Sequence, residues 1–195
     1  MNKFLHLLCP NEFVESVVLI EPARLKDRGI RVLLMDLDNT LVPWGSYDIA
    51  AEVEAWVGRI KGSGIGMCIV SNTRSPKRLR VLAERLSIPH VIGSKPRRGG
   101  FRKALEMLKA SPEQVAVVGD QLFTDILGGN RLGSYTILVH PIHPREFVGT
   151  KVSRLFEKIV FRLLEQRGML HRTSIETCVS GEQSEDKNRQ MKTEQ

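Results

Sequence analysis

The 195-residue chain has no long hydrophobic run, since no stretch reaches the roughly 18 uncharged apolar residues of a transmembrane helix. The apolar run Phe4–Leu8 is too short for a signal-peptide core, and no small-residue cleavage site follows it. Cysteine is also scarce: Cys9, Cys68 and Cys178 match neither a metal site nor a disulfide framework in their spacing. We therefore expect reduced thiols in a cytoplasmic protein, with peripheral contact at the inner face of the membrane as an alternative.

Aromatic residues are few, at 6% of the chain, and no motif for stacking single-stranded bases is visible. We therefore expect no nucleic-acid partner. Positive charge is concentrated instead. The chain carries a net charge of +7, whereas the window from Arg74 to Lys103 holds ten basic residues and only Glu84 as an acidic one, a net +9. Such a cluster favours an anionic partner, a phosphorylated substrate or a lipid surface, although a solvated basic face is the alternative.

Short apolar runs alternate with amphipathic stretches between Val32 and Val139. The runs predict strands at Val32–Met35, Ile65–Val70, His90–Ile92, Val115–Val118 and Thr136–Val139. Helical spacing predicts helices at Asp48–Lys61, Pro76–Leu86, Gly100–Leu108 and Leu122–Leu127, the last one stopped by Gly128 and Gly129. The alternation predicts an α/β fold: a three-layer, doubly wound, Rossmann-like and mostly parallel sheet with helices on both faces.

The C-terminal part has a different character. Val152–Leu164 predicts an amphipathic helix with a basic stripe along one flank, which either packs on the domain or lies on an anionic membrane. The segment Thr173–Gln195 is polar and lacks periodicity, as is typical of disorder. We expect one domain over residues 1–170, including this helix, and a disordered tail over residues 171–195.

Reactive side chains follow the predicted strands directly. Asp36 and Asp38 follow the first, Ser71 and Asn72 the second, Lys95 the third, and Asp120 and Asp125 the fourth. The carboxyl ends of parallel strands lie at one edge of a sheet, where such folds place their reactive groups. Carboxylates gathered there repel one another unless a cation lies between them or one of them holds a proton, and their oxygens suit Mg²⁺. A metal ion and Lys95 would also offset the repulsion between a carboxylate nucleophile and a phosphate monoester.

These residues resemble the four motifs of the haloacid dehalogenase (HAD) superfamily. The motif positions are Asp36-Leu37-Asp38-Asn39-Thr40, Ser71, Lys95 and Gly119-Asp120 with Asp125. The sequence between about Phe4 and Leu170, with the block Gly119–Asn130, is similar to the subclass IIIA proteins of the YqeG family.

The resemblance implies an Mg²⁺-dependent phosphatase with a role for each motif position. Asp36 would be the nucleophile and a metal ligand, and Asp38 the general acid and base with its main-chain carbonyl on the metal. Asp120 would be the remaining metal carboxylate, and Asp125 a supporting one. Ser71, Asn72 and Lys95 are assigned to substrate binding, with Ser71 and Lys95 as the pair that holds the phosphoryl group during catalysis.

The spacing of the motifs leaves no room for a sizeable cap domain, because the intervals Thr40–Ser71 and Thr73–Lys95 each fit one helix. An open pocket favours phosphate groups on large or surface-bound substrates. The first hypothesis is therefore hydrolysis of phosphatidylglycerophosphate to phosphatidylglycerol, a step assigned to similar mitochondrial and plastid enzymes. The alternatives are a phosphatase for soluble sugar phosphates or nucleotides, and a non-catalytic protein that binds RNA or ribosomes.

Overall fold

The computed structural model describes residues 3–143 together with Arg162. Apart from Arg162, the predicted helix at Val152–Leu164 lies outside the described residues, as does the predicted tail at Thr173–Gln195. The division into a domain over residues 1–170 and a tail over residues 171–195 therefore stays a prediction.

Strands and helices alternate through most of the described chain. The strands are β1 (Glu12–Val14), β2 (Val32–Met35), β3 (Gly66–Ser71), β4 (His90–Ile92), β5 (Val115–Gly119) and β6 (Tyr135–Val139). The helices are α1 (Lys3–Leu8), α2 (Pro22–Asp27), α3 (Ala51–Gly62), α4 (Pro76–Leu86), α5 (Gly99–Leu108) and α6 (Leu127–Leu132). Short 3₁₀ turns at Val17–Leu19 and Pro112–Gln114 and a π-helical turn at Leu122–Ile126 complete the set.

The six strands form one sheet in the order β1-β6-β5-β2-β3-β4, and every pair in it is parallel. In the centre, Val32 of β2 is aligned with Gly66 of β3 and with Val115 of β5. All carboxyl ends of the strands therefore lie at one edge, called here the carboxyl edge. The predicted α/β sheet is confirmed, and the observed sheet is wholly parallel.

The central strand β2 is buried on both faces, so its apolar residues divide between two cores. Leu33 and Met35 belong to the core under α3 and α4, whereas Val32 and Leu34 belong to the core under α5. The continuous apolar run at this strand follows from burial on both faces. Helices thus cover both faces, and the predicted three layers are confirmed.

The intervals between the motifs hold single helices. Only α3 lies between β2 and β3, and the interval from Thr73 to Lys95 contains α4 and the short strand β4. No helix among residues 3–143 is long and apolar enough to cross a membrane. The expectation that no large cap covers the carboxyl edge is confirmed for these two intervals.

The N-terminal segment adds three elements that the sequence patterns did not predict, α1, β1 and α2. Strand β1 has only three residues and extends the sheet beside β6. Long-range polar contacts fix this segment: Asn130 donates to the carbonyls of Leu7 and Cys9 at 2.9 Å, and Asn11 N–H donates to the carbonyl of Thr136 at 3.0 Å. Contacts of this kind leave no local periodicity in the sequence.

The expectation that Gly128 and Gly129 stop a helix is wrong. Helix α6 includes both glycines and ends at Leu132, and it is followed by Gly133, whose φ of 86° suits glycine at a C-terminal cap. A Cβ at Gly128 would lie 2.5 Å from the Phe101 ring, and one at Gly129 would lie 2.6 Å from Thr136 Cγ2. The two glycines are small because the helix approaches its neighbours closely, so close packing and not helix termination explains them.

Candidate active site

Strand ends bring Asp36 and Asp120 together. Asp36 directly follows β2 and Asp120 directly follows β5, and these two strands are hydrogen-bonded neighbours. The backbone N–H of Asp36 continues the ladder by donating to Val118 O at 2.9 Å. The sheet therefore fixes both residues at the carboxyl edge before any side-chain contact is considered.

Asp36, Asp120 and Asp125 form a buried cluster of carboxylates. One oxygen from each lies within 4.8 Å of the others, and the three residues are 8%, 2% and 1% exposed. Magnesium takes carboxylate oxygens as ligands, and several buried carboxylates at this spacing repel one another without a cation. The donor set fits a divalent hard cation. Asp125 contributes to this cluster as closely as the other two, although the family resemblance gives it a supporting role.

Lys95 is the ammonium within the cluster. Its Nζ lies 2.6 Å from Asp36 Oδ1 and 2.6 Å from Asp125 Oδ1, and the residue is only 7% exposed. One ammonium and three carboxylates leave an excess of negative charge when all are ionised. That excess favours binding of a further cation at this position.

Burial and charge shift the titration of both partners of this ion pair. Burial raises the pKa of the Asp36 carboxyl to about 6; the Lys95 ammonium opposes this rise, and the Asp125 carboxylate adds to it. Burial alone would lower the pKa of Lys95, but the carboxylates of Asp125 and Asp36 outweigh it and raise that pKa above its usual value. Lys95 is therefore charged throughout the neutral range.

Asn72 holds the backbone that presents Lys95. Its side-chain amide donates to Lys95 O at 3.0 Å and accepts from Lys95 N–H at 2.7 Å. Ser71 at the end of β3 is 2% exposed, and its hydroxyl accepts from Thr73 N–H at 3.2 Å. The structure thus places Ser71, Asn72 and Lys95 at one end of neighbouring strands. Contact between Asn72 and a substrate stays a prediction, and its bond to the Lys95 backbone was not foreseen from the sequence.

The carboxylate of Asp38 has different partners from that of Asp36. Arg78 Nη2 lies 2.5 Å from Asp38 Oδ1 and 2.5 Å from Oδ2, and Gly45 N–H donates to Oδ1 at 3.0 Å. Arg78 is 5% exposed and also donates from Nη1 to Ser46 O at 2.7 Å. Sequence reasoning counted Arg78 within a basic cluster and missed this contact. Its position on the apolar side of α4, one residue before Leu79, is a signal that it is buried.

Asp125 is held by the turn that follows β5. Its Oδ2 accepts from Gln121 N–H at 3.2 Å. A Cβ at Gly119 would overlap the Asp125 carboxyl group, so only glycine at the end of β5 leaves room for that group. The π-helical turn Leu122–Ile126 then carries Asp125 back over the strand end. Local backbone geometry thereby explains why Gly119 occurs together with Asp120 and Asp125 in the sequence.

An open groove of about 380 Å³ lies beside Lys95. It is lined by Asn72, Gly93, Ser94, Lys95, Pro96 and Arg97. The lining includes two cationic side chains and no acidic one.

Comparisons with known proteins identify the family of the chain. A family model described as HAD-hydrolase-like matches residues 92–141, which include Lys95, Asp120 and Asp125. A Bacillus subtilis protein named "Probable phosphatase YqeG" is 36% identical over 160 residues, which cover 82% of this chain and 92% of that one. The chain belongs to the YqeG family of HAD-like phosphatases.

Two further similarities extend the comparison. The mitochondrial phosphatidylglycerophosphatase GEP4 of Saccharomyces cerevisiae is 29% identical over 158 residues, 70% of this chain and 79% of that protein. A crystal structure of a HAD family hydrolase from Streptomyces avermitilis aligns with a TM-score of 0.50 and 20% identity, over 66% of this chain and 75% of that one. This second likeness concerns the fold, and it agrees with the parallel sheet described above.

Proposed function

We propose that the YqeG-family chain hydrolyses a phosphate monoester through a phosphoryl group carried on Asp36, and that the substrate is phosphatidylglycerophosphate. The observation that carries the proposal is the contact between Lys95 Nζ and both Asp36 and Asp125, with Asp120 in the same cluster. The chemistry requires a carboxylate nucleophile, a fixed cation beside it and further carboxylates for a metal ion, and these four residues supply all three.

In the first step, a carboxylate oxygen of Asp36 attacks phosphorus and the bond from phosphorus to the leaving oxygen breaks. Lys95 stabilises the charge on the phosphoryl oxygens while its Nζ remains beside Asp36. Ser71 and backbone N–H groups at the end of β3 would bind the same oxygens. Asp38, in its protonated form, gives its proton to the leaving oxygen, which becomes the alcohol product.

In the second step, water attacks phosphorus and the bond to Asp36 breaks. The Asp38 carboxylate takes a proton from this water, so that inorganic phosphate leaves and Asp38 is protonated for another turnover. The ion pair with Arg78 holds the Asp38 carboxylate in a fixed orientation. One residue thus serves both steps, and its orientation matters in each.

Asp36, Asp120 and the main-chain carbonyl of Asp38 would hold Mg²⁺, with Asp125 either as a ligand or as the partner that retains Lys95. When bound, Mg²⁺ would neutralise the carboxylates and polarise the phosphoryl group. The clustered carboxylate oxygens support this assignment because they are the donors that the ion prefers.

The lipid substrate is supported by the open groove beside Lys95 and by the relative named phosphatidylglycerophosphatase. No large cap occupies the intervals between the motifs, so a phosphate at a membrane surface can approach the carboxyl edge. The cations that line the groove match the negative charge of such a headgroup.

The test is phosphate release from phosphatidylglycerophosphate in mixed micelles with Mg²⁺, beside a panel of soluble sugar phosphates and nucleotides. The wild-type protein should release phosphate from the lipid, and Asp36→Asn should release none. Good turnover of a soluble phosphate without release from the lipid would refute the lipid substrate and leave the phosphatase chemistry in place. Release that continues in Asp36→Asn would refute Asp36 as the nucleophile.

A further inference from the structure

The carboxyl edge carries a group of exposed apolar side chains. Seven large hydrophobic residues are exposed among those that the structure describes, and four of them lie at the end of β4 or in the segments that follow β2 and β6. These four are Trp44, Tyr47, Ile92 and Ile142, which are 50%, 52%, 53% and 45% exposed. Single exposed apolar residues are ordinary on a protein surface. These four are informative because all of them occur at the edge that holds the candidate active site.

Hydrogen bonds hold the aromatic pair close to the site. Gly45 N–H donates to Asp38 Oδ1 at 3.0 Å, and Arg78 Nη1 donates to Ser46 O at 2.7 Å. Gly45 and Ser46 lie between Trp44 and Tyr47 in the chain, so the backbone between the two aromatic residues is bonded to Asp38 and its partner. The loop is thereby fixed while both aromatic rings remain exposed.

Ile142 joins the same group from the other side of β2. Its N–H donates to Asn39 O at 3.1 Å, and Asn39 N–H in turn donates to Val42 O at 2.7 Å. Two segments that carry exposed apolar residues are therefore hydrogen-bonded to the Asp36–Asn39 segment, one at Asp38 and the other at Asn39.

Cations lie at this edge as well. Arg74, Lys77, Arg97 and Arg98 are exposed and follow the ends of β3 and β4, and Arg97 also lines the groove beside Lys95. Asp48 is an exposed acidic residue in the loop after β2, and no acidic residue occurs between Asn72 and Arg80 or between Val91 and Lys103. The loops after β3 and β4 are therefore strongly positive, whereas the segment after β2 also carries the exposed acidic residues Glu52 and Glu54 at the start of α3.

We propose that the carboxyl edge is a docking face for an anionic lipid bilayer. Tryptophan and tyrosine favour the boundary between headgroups and acyl chains, and lysine and arginine favour an anionic surface. A bilayer of anionic phospholipids satisfies both kinds of group at once. Trp44 and Tyr47 enter the boundary region, the four cations contact anionic headgroups, and the groove beside Lys95 opens towards the lipid layer. This inference extends the proposed function, because it states how a phosphate on a lipid reaches Asp36.

Binding to vesicles tests the docking face directly, with the full chain as the probe protein. Vesicles of phosphatidylglycerol should bind it, and vesicles of phosphatidylcholine should bind it about tenfold or more weakly. Of the two tryptophans, Trp56 is 0% exposed and donates to Ile20 O at 2.9 Å, so it serves as an internal reference. Brominated acyl chains should quench Trp44 on binding, and the quenching should vanish in Trp44→Phe.

Matched variants separate this face from the rest of the surface. The pair Trp44→Ser with Tyr47→Ser should reduce vesicle binding about tenfold, whereas Met107→Ser, which removes a 50% exposed side chain from α5, should leave it unchanged. Lys77→Gln with Arg98→Gln should weaken binding mostly at low salt. Lys26→Gln with Lys109→Gln removes the same charge from the segments that precede β2 and β5. This second pair should have little effect on vesicle binding.

Activity on two substrates distinguishes failure of this inference from failure of the proposed function. The Trp44→Ser, Tyr47→Ser variant should keep wild-type turnover of p-nitrophenyl phosphate and lose turnover of phosphatidylglycerophosphate in vesicles. Unchanged vesicle binding in that variant would overturn the docking face, as would quenching that persists in Trp44→Phe or binding of single-stranded RNA in place of vesicles. Lack of turnover of any phosphate by the wild type would instead refute the proposed function, and the vesicle binding would still be measured separately.

Discussion

Arg78 Nη2 lies 2.5 Å from both carboxylate oxygens of Asp38, and Arg78 is almost fully buried while it makes this contact. The ion pair joins α4, which follows β3, to the loop that follows β2. Arg78 Nη1 also donates to Ser46 O in the same loop. Arg78 thus fixes the orientation of the residue proposed to move protons in both chemical steps.

If Asp38 loses this orientation, the size of the fall in turnover should depend on the leaving group of the substrate. In Arg78→Gln, turnover of an alkyl phosphate should fall by roughly 10²-fold, the lower range for loss of general acid–base assistance. A p-nitrophenyl leaving group needs no proton, so the first step should persist while the second slows. We therefore expect an initial burst of p-nitrophenol followed by slow turnover. Arg78→Lys should recover part of the lost rate because it retains the charge without the guanidinium geometry.

Stopped-flow measurement of p-nitrophenol release, beside steady-state release of phosphate from glycerol phosphate, provides the comparison. Equal losses on both substrates, with no burst, would show that Arg78 has only a structural role. Lys77→Gln, at the exposed neighbouring position, is the control and should turn over these two soluble substrates as the wild type does.

Replacement of Asp36 should abolish activity and stabilise the metal-free protein. Burial raises the pKa of Asp36 to about 6 in the folded state, so the fold favours its protonated form. Folded protein then binds more protons than unfolded protein between about pH 4 and 6, and its stability falls as the pH rises through that window. At pH 7, Asp36→Asn in EDTA should exceed the wild type by up to about 3 kcal/mol.

Denaturant unfolding of both proteins at several pH values between 4 and 7 checks this expectation. The stability difference between variant and wild type should shrink towards pH 4. A variant less stable than the wild type at every pH would mean that the Lys95 ion pair outweighs the burial of Asp36.

Magnesium should stabilise the wild-type fold through the carboxylate cluster. A ligand at a hundredfold excess over its dissociation constant adds about 2.7 kcal/mol to the free energy of unfolding. Mg²⁺ should therefore raise the melting temperature of the wild type and have a much smaller effect on Asp120→Asn. Asp27→Asn removes an exposed carboxylate in α2 and should respond as the wild type does. Equal Mg²⁺ responses in all three proteins would place the metal site elsewhere.

Gly119 should tolerate no side chain. Because a Cβ there would overlap the Asp125 carboxyl group, Gly119→Ala should displace Asp125 and with it a partner of Lys95. We expect a loss of about 1–3 kcal/mol in stability and a large loss of phosphatase activity. Gly58→Ala in α3 meets no atom within 4 Å and should be neutral or slightly stabilising. Thermal unfolding and phosphate release measure both effects, and full activity in Gly119→Ala would contradict the account.

The sequence predicted the sheet well where burial imposes a pattern. The strands at Val32–Met35 and His90–Ile92 and the helix at Pro76–Leu86 have the predicted bounds. Strand ends then placed Asp36, Lys95 and Asp120 at one edge, and their side chains do meet there. Buried parallel strands leave continuous apolar runs in the sequence, which explains this success.

Features that depend on long-range contacts were not predictable in the same way. Strand β1 forms through pairing with β6, and the contact between Asn11 and Thr136 beside it joins residues 125 positions apart in the chain. The role of Gly128 depends on the distance to Phe101, and the burial of Arg78 depends on the position of Asp38. None of these relationships has a local signature, since each joins residues from different elements.

The proposed attack by Asp36 is tested most directly by trapping the phosphorylated enzyme. Asp38→Asn should slow the hydrolytic step, so that incubation with a ³²P-labelled p-nitrophenyl phosphate and an acid quench leaves label on the protein. Peptide mapping should find the phosphoryl group on Asp36, and no label should remain in the Asp36→Asn, Asp38→Asn double variant. Label on another residue, or phosphate release that continues in the double variant, would contradict the account.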